Sequence, residues 1–110
     1  MSQSAPLRPP VFHILLALAD TDLHGLGIAD SVEDASAGSV VLGPGTLYRS
    51  LKEMTAHGLV VEVDAPPEAD PRRRYYRITA LGRSGLSEEI ARMDRLVALA
   101  RRRRVPEASA

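Results

Sequence analysis

The sequence predicts a mainly α-helical fold that carries a small β-hairpin. Four segments have an apolar run or apolar residues at helical spacing, and proline, glycine or capping residues bound them. Two segments rich in β-branched or aromatic residues flank a proline-rich loop, which is typical of two antiparallel strands. The last helical segment has an apolar seam that a domain of this length is too small to cover by itself.

The composition predicts one small globular domain without cysteine chemistry. The chain has 110 residues, of which 45% are hydrophobic and 25% are charged, an ordinary balance for a globular domain. Because the sequence has no cysteine, disulfides, thiolate nucleophiles and cysteine metal ligands are excluded. No apolar run approaches the ~20 residues of a membrane span, and the first residues lack the features of a signal peptide. We therefore expect a cytoplasmic protein with no membrane partner.

The first two predicted helices are short and supply core residues. Pro9 and Pro10 favour a helix start, and the apolar run 11–19 predicts a buried helix. Its expected inward residues are Ile14, Leu15, Leu16 and Leu18. A second helix begins near His24 and ends in a loop of small residues. Its expected inward residues are Leu26 or Ala29, Ile28 and Val32. Residues 40–42 are short and β-branched and predict a brief strand.

The third predicted helix has two different faces. It begins after Gly43-Pro44-Gly45 and ends at His57-Gly58, where the glycine is suited to a C-cap. At 100° per residue, one side carries Leu47, Leu51 and Met54. The other side carries Tyr48, Arg49 and Lys52. The apolar side must face a core, whereas the cationic side could enter a groove of nucleic acid or remain solvated.

The segment after this helix predicts a hairpin with a basic second strand. Residues 59–63 form the first strand, three prolines in the loop 65–71 exclude regular pairing there, and residues 72–79 form the returning strand. That strand begins with Arg72, Arg73 and Arg74. Three helices followed by a hairpin make a winged helix-turn-helix domain over residues 8–79. An arginine run beside a cationic helix face favours binding to double-stranded DNA over simple solvation.

The charges are unevenly distributed along the chain, although the formal net charge is zero. Residues 1–65 hold three basic and eight acidic side chains, a net charge of −5. Residues 66–110 hold eleven arginines and six acidic side chains, a net charge of +5. Because local clusters of charge matter more than their sum, the net charge does not exclude a DNA partner.

The last predicted helix spans residues 80–104, with Thr79 as its N-cap. Its apolar seam steps by four and three through Leu86, Ile90, Met93, Val97 and Ala100. This spacing predicts a dimerisation helix and hence a homodimer. Residues 1–7 are expected to be a flexible N-terminus, and residues 105–110 a frayed tail.

Five segments, taken together in this order, resemble the PadR-like family of transcriptional regulators, in the form of its short members with a single C-terminal helix. They are residues 12–18, 24–25, 45–51, 57–60 and 73–82. One difference is Leu26, which stands where many members have an aromatic residue after the His-Gly pair.

The resemblance implies a winged-helix transcriptional regulator, usually a repressor, that binds a two-fold operator as a homodimer. It also implies release from DNA by a small molecule in many members. The implied DNA contacts are Thr46, Tyr48, Arg49 and Lys52 of the third helix and Arg72, Arg73 and Arg74 of the wing. Some relatives stack planar ligands on tryptophan, and this chain has no tryptophan, so that mode does not carry over.

Two other functional classes compete with a DNA-binding regulator. A winged helix can bind another protein without binding DNA, since fold alone does not give function, but the arginine run argues against this alternative. A small enzyme would need a nucleophile–base pair, a metal cluster or a phosphate loop, and the sequence shows none of these. His13, His24 and His57 are scattered without metal-ligand spacing. We therefore expect no enzymatic activity, no cofactor and no metal.

Overall fold

Four helices and three short strands alternate along the chain. The computed structural model describes residues 6–108; residues 1–5 of the predicted flexible N-terminus and residues 109–110 of the predicted tail lie outside this range. The elements are α1 (Pro9–Ala17), β1 (Leu23–His24), α2 (Gly25–Ala35), α3 (Pro44–Ala56), β2 (Val60–Val63), β3 (Tyr75–Ile78) and α4 (Ala80–Arg102). The mainly α fold with a small antiparallel sheet is confirmed.

The sheet contains a strand, β1, that the sequence did not predict. Its order is β1-β3-β2, and both pairs are antiparallel. The predicted hairpin is β2–β3, in which Val60 pairs with Ile78 and Val63 with Tyr75. Strand β1 pairs Leu23 with Tyr76 on the other edge of β3. The sheet therefore joins the segment before α2 directly to the wing.

The returning strand begins later than predicted, because a turn occupies its first residues. The backbone N–H of Arg73 donates to the carbonyl of Asp70 at 3.0 Å, and the Asp70 carboxylate accepts from the backbone N–H of Arg72 at 2.9 Å. An aspartate that bonds the backbone two residues on favours a turn over a strand. The three arginines 72–74 therefore lie in the wing loop ahead of β3.

Residues 40–42 do not form the predicted strand. The backbone N–H of Val40 donates to the Oγ of Ser36 at 3.0 Å, so a local side-chain bond replaces sheet pairing there. Leu42 is buried in the core, whereas Val41 is exposed. The segment is a loop that anchors the connection between α2 and α3.

The hydrophobic core lies between the first three helices and the sheet. Its most deeply buried side chains are Ile14, Leu15, Leu18, Ile28, Val32, Leu51, Met54 and Val60. The inward residues of α1 and α2 were predicted correctly except for Leu16, which is exposed. At 100° per residue, Leu16 points away from the stripe formed by its neighbours. In α2, either Leu26 or Ala29 was expected to face inward. Ala29 packs against the core, whereas Leu26 is exposed.

Helix α3 ends at the predicted glycine. Gly58 has φ +76°, a left-handed conformation that glycine adopts without steric cost. Its N–H donates to the Thr55 carbonyl at 3.1 Å, and the N–H of Leu59 donates to the Met54 carbonyl at 2.9 Å. This pair of bonds is a Schellman motif, and it directs the chain from α3 into β2.

Helix α4 starts against the base of the hairpin. The Thr79 hydroxyl accepts from the Gly82 N–H at 3.0 Å, as predicted for an N-cap, and donates to the Gly58 carbonyl at 2.6 Å. A Cβ on Gly82 would lie 2.1 Å from the carbonyl oxygen of Leu59. Only glycine therefore permits this close approach of α4 to the chain entering β2.

The remainder of α4 extends beyond the winged-helix core. Leu86 is 5% exposed and belongs to that core, so it packs within the protomer and does not lie on the predicted dimer face. The Cα radius of gyration is 15.6 Å, whereas a globular domain of this length has about 13 Å. The helix ends at Arg102, two residues before the predicted end.

Candidate nucleic-acid interface

The outward face of α3 carries the side chains predicted to contact DNA. Leu47, Leu51 and Met54 are buried against the core, which confirms the apolar side of the helix. The opposite side is exposed and presents Thr46, Tyr48, Arg49 and Lys52. The first backbone bond of the helix runs from the Leu47 N–H to the Gly43 carbonyl at 2.9 Å. The amides of the first turn therefore point out of the helix end, where its dipole favours an anion.

A first hollow of about 350 Å³ opens between α3, the start of α2 and the wing loop. Its lining residues are His24, Gly25, Leu26, Tyr48, Arg72, Arg73 and Arg74. Four of the seven predicted DNA-contact residues thus come together here, although they come from two separate elements. Three guanidinium groups around one open hollow suit an anionic polymer.

A second hollow of about 540 Å³ lies beside the first, between α3 and the hairpin. It is lined by Tyr48, Leu51, Lys52, Thr55, Ala56, Glu62, Arg74 and Tyr76. Tyr48 and Arg74 border both hollows, so the two form one continuous surface, and Lys52 extends it along α3. Burial raises the pKa of Tyr76, which forms the floor, and Glu62 raises it further.

Thr46 and Arg49 lie on the other flank of α3, away from the wing. They line a third hollow of about 130 Å³ together with Arg8, Glu53 and the first turn of α1. Arg8 Nη2 donates to Glu53 Oε2 at 2.6 Å, which offsets the acidic charge of Glu53 on this flank. The structure therefore places five predicted contact residues on the wing side of α3 and two on the α1 side.

The arginines of the wing have different environments. Arg72 donates from Nε and Nη2 to Asp70 at 3.2 and 3.0 Å; these bonds raise the pKa of Arg72 and lower that of Asp70. Arg74 forms no hydrogen bond or ion pair with any of residues 6–108. Its guanidinium is therefore available to a ligand, whereas that of Arg72 is partly occupied.

Arg77, one strand position further on, is tied to the loop before β1. Its Nε and Nη2 donate to the two carboxylate oxygens of Asp22 at 3.1 and 2.8 Å. The hydrogen bond from Arg77 holds the pKa of Asp22 below its ordinary value. This pair ties Arg77 to the β1 edge of the sheet, whereas Arg72, Arg73 and Arg74 line the first hollow.

Two residues of the surface were not predicted from the sequence. His24 faces the first hollow and accepts a hydrogen bond from Arg73; burial and then the charge of Arg73 lower its pKa, while Asp30 partly opposes them. Arg8 borders the third hollow. The His24-Gly25 pair was visible as a motif, but its spatial neighbours were not. A Cβ on Gly25 would lie 2.3 Å from the Tyr48 hydroxyl, so this glycine lets Tyr48 lie across the start of α2.

Metal-binding and membrane-spanning features are both absent from the part of the chain that the structure describes. Among residues 6–108, no group of three or more histidine or acidic side chains is arranged to hold a metal ion. Across the same range, no helix combines the length and the apolar character that crossing a membrane requires.

The sequence matches one protein family and is similar to two individual bacterial proteins. Residues 14–88 match the transcriptional regulator PadR-like family. The transcriptional regulator Rv3488 of Mycobacterium tuberculosis is 33% identical over 84 residues, which cover 76% of this chain and 75% of Rv3488. An uncharacterized 37.1 kDa protein in transposon TN4556 of Streptomyces fradiae is 40% identical over 83 residues, and this chain spans only 22% of its length.

Two solved structures share the fold. A PadR family transcription regulator from Clostridium difficile R20291 superposes with a TM-score of 0.71 at 22% identity, over 84% of this chain and 95% of that one. Bacillus subtilis PadR, solved in complex with operator DNA, superposes with a TM-score of 0.66 at 20% identity, over 77% of this chain and 48% of that one. At these identities the likeness concerns the fold.

The family match includes the winged-helix domain from the second half of α1 onward, together with the first part of α4. The relative Rv3488 is a transcriptional regulator. The winged-helix prediction and the proposed resemblance are thereby confirmed. The chain belongs to the transcriptional regulator PadR-like family.

Proposed function

We propose that this protein binds double-stranded operator DNA in a sequence-specific manner and regulates transcription as a homodimer. The observation that carries the proposal is the continuous surface of the first and second hollows, where Tyr48 and Lys52 of α3 meet the three arginines 72–74 of the wing. Bacillus subtilis PadR, which has the same fold, was solved with operator DNA. A protein-binding winged helix would not need this convergence of cations.

In the proposed complex, α3 occupies the major groove and the wing lies along the adjacent backbone. Arg49 and Lys52 extend from the exposed face of α3 toward base edges or phosphates. Thr46 and the first-turn amides meet a phosphate, which the helix dipole favours. The wing arginines contact phosphates, so they contribute affinity and position more than sequence preference.

The homodimer is proposed from the exposed face of α4. Beyond the buried Leu86, that face presents Ile90, Met93, Leu96 and Val97, with Leu96 66% and Val97 46% exposed. Apolar side chains at coiled-coil spacing are stabilised by packing against a second helix. Two copies joined through α4 would present two α3 helices to the two halves of a two-fold operator.

We further propose that operator binding represses transcription, as the family resemblance implies, and that a small molecule can reverse it. In the proposed homodimer, the spacing of the two α3 helices depends on how the α4 helices pack. Such a molecule shifts the equilibrium only if it binds two α4 arrangements with unequal affinity. The ligand sites of tryptophan-bearing relatives do not apply here, because the chain has no tryptophan.

The test is binding of the purified protein to labelled DNA from upstream of its own gene, followed by fluorescence anisotropy at two salt concentrations. Random DNA of equal length is the control for specificity. We expect binding that is tighter than to random DNA and weakens steeply with salt, since each neutralised phosphate adds about 0.9 to the slope of log affinity against log salt. Arg49→Ala should weaken operator binding, whereas Arg102→Ala, at the far end of α4, is the matched control. Absence of binding to any DNA would favour the protein-interaction alternative.

A further inference from the structure

We propose that His24 is a positioning residue for DNA binding, whose neutral imidazole holds the guanidinium of Arg73 at the rim of the first hollow. This inference rests on the proposed function, because it assigns a role within the proposed DNA surface. His24 and Arg73 are 49 positions apart in the sequence. Their contact joins the start of α2 to the wing loop and lies beside Tyr48 of α3.

The histidine ring is confined on two sides. It packs against the ring of Tyr75, with centroids 5.3 Å apart and planes tilted by 48°, and the two residues are paired in the sheet. On the helix side, a Cβ on Gly27 would lie 3.3 Å from the Nδ1 and Cε1 atoms of the imidazole. Because both neighbours restrict the ring, its Nε2 has a fixed direction and can orient a partner.

That partner is Arg73, whose Nη1 lies 2.5 Å from Nε2 of His24. A guanidinium only donates hydrogen bonds, so Nε2 must accept and the ring proton must lie on Nδ1. One of the five guanidinium N–H groups is used, and the other four stay available for a phosphate. A long side chain that is already oriented loses less freedom when it binds, which is how His24 would increase affinity without touching DNA.

Burial of the imidazole, and then the positive charge of Arg73, lower the pKa of His24 and favour its neutral form. The wing loop presents Arg72, Arg73 and Arg74 to the same hollow, α3 presents Tyr48, and β3 presents Tyr75. Asp30 of α2 is the acidic group that acts on the imidazole in the opposite direction. A fourth cation among three arginines is unfavourable. The acceptor role of Nε2 therefore persists at neutral pH.

The test is a double-mutant cycle on operator binding. His24→Phe keeps a ring against Tyr75 but removes the acceptor, and we expect it to weaken binding by about threefold to tenfold, within the usual range for coupled contacts. His24→Gln retains an acceptor oxygen near the position of Nε2 and should keep affinity within about twofold of the wild type. Arg73→Ala should weaken binding at least as much as His24→Phe, and the double variant should bind no more weakly than Arg73→Ala alone.

Two results would overturn this role. Additive losses in the double variant would show that His24 contributes independently of Arg73, for instance by contacting DNA itself. An equal loss in His24→Gln and His24→Phe would show that the hydrogen bond is not responsible. Thermal melting checks that each variant is folded. If the wild-type protein binds no DNA, the proposed function fails as a whole; if it binds and the losses are additive, only the role of His24 fails.

A second measurement applies even if His24→Phe does not fold. The ¹⁵N shifts of the histidine ring report which nitrogen carries the proton. In the wild type we expect the proton of His24 on Nδ1 at neutral pH, with Nε2 as acceptor. Arg73→Ala should shift His24 toward the other tautomer. The internal control is His57, whose Nδ1 is hydrogen-bonded to the carbonyl of Glu53 in α3 and not to a wing residue. An unchanged His24 signal would contradict the proposal.

Discussion

The backbone N–H of Leu7 donates a hydrogen bond of 2.9 Å to Oε1 of Glu89, 82 positions further along the chain. The next residue, Arg8, pairs with Glu53 of α3 at 2.6 Å. Two adjacent residues therefore tie the start of the chain to both α4 and α3. Leu7, which was expected in the flexible N-terminus, is half-buried and packs against the core.

The Leu7–Glu89 contact makes stability depend on pH. The Leu7 N–H and then Arg92, which donates to the same oxygen at 2.6 Å, hold the pKa of Glu89 below its ordinary value of 4.5. A carboxylate with a lowered pKa contributes stability above its ordinary value, and this contribution is lost as pH falls through the lowered pKa. Glu89→Gln should therefore reduce stability at neutral pH and flatten its decrease below about pH 4.5.

Thermal melting between about pH 7 and pH 3 measures both effects. The matched control is Glu107→Gln in the exposed C-terminal segment, which should leave the curve of melting temperature against pH almost unchanged. A Glu89→Gln curve parallel to that of the wild type would mean that Glu89 titrates normally in the folded protein.

Glycine is required at one position of α4 and unfavourable three residues later. Gly82→Ala would place a methyl group against the Leu59 carbonyl, 2.1 Å from its oxygen, and should lower the free energy of unfolding by about 1–3 kcal/mol. A Cβ on Gly85 meets no atom within 4 Å. Gly85→Ala should therefore raise the free energy of unfolding by about 0.5–1 kcal/mol through helix propensity. Urea denaturation of both variants measures the difference, and equal effects would contradict the close approach at Gly82.

Local signals in the sequence were sufficient to predict most of the fold. The period of Leu47, Leu51 and Met54, the C-cap at Gly58 and the N-cap at Thr79 all depend on residues within about two helix turns. Strand β1 was missed because a two-residue strand has no measurable period, and its pairing with β3 depends on residues more than 50 positions away.

The candidate site was predictable where its charges are adjacent in sequence, as in the wing. The environments of those charges were not predictable, because their partners are distant: His24 for Arg73, and Asp22 for Arg77, 55 positions away. In the sequence, Arg74 and Arg77 look alike. In the structure, the guanidinium of Arg74 is available to a ligand, whereas that of Arg77 is paired with Asp22.

This difference predicts separate effects of the two arginines. Arg74→Ala should decrease the slope of log affinity against log salt by about one and leave stability unchanged, since it removes one phosphate contact. Arg77→Ala should lower the melting temperature slightly, because it breaks a bidentate pair on the surface, and should change the salt slope less. Anisotropy titrations at several salt concentrations and thermal melting distinguish the two. Equal effects on both quantities would contradict the assignment.

Gly25 should affect DNA binding through Tyr48. Gly25→Ala would place a methyl group 2.3 Å from the Tyr48 hydroxyl, and the exposed phenol can swing away, so the free energy of unfolding should change by about 0.5 kcal/mol or less. Operator binding should weaken by up to the ~1.5–3 kcal/mol that one hydrogen bond to a charged group contributes. The control is the double variant that combines Gly25→Ala with Tyr48→Ala. It should weaken operator binding no more than Tyr48→Ala alone. Additive losses would mean that Gly25 acts on DNA by another route.

The exposed face of α4 predicts how the oligomer can be broken. Val97→Asp places a carboxylate in the apolar stripe of α4, where dimerisation would bury it without a partner, and should weaken association at least ~100-fold. Ala98→Asp adds the same charge one position further, about 100° around the helix, and should leave association unchanged. Sedimentation velocity measures both. The Val97→Asp monomer should also lose most of its operator affinity, because a single α3 reads only one half-site. If the Val97→Asp variant still sediments as a dimer, the interface lies elsewhere.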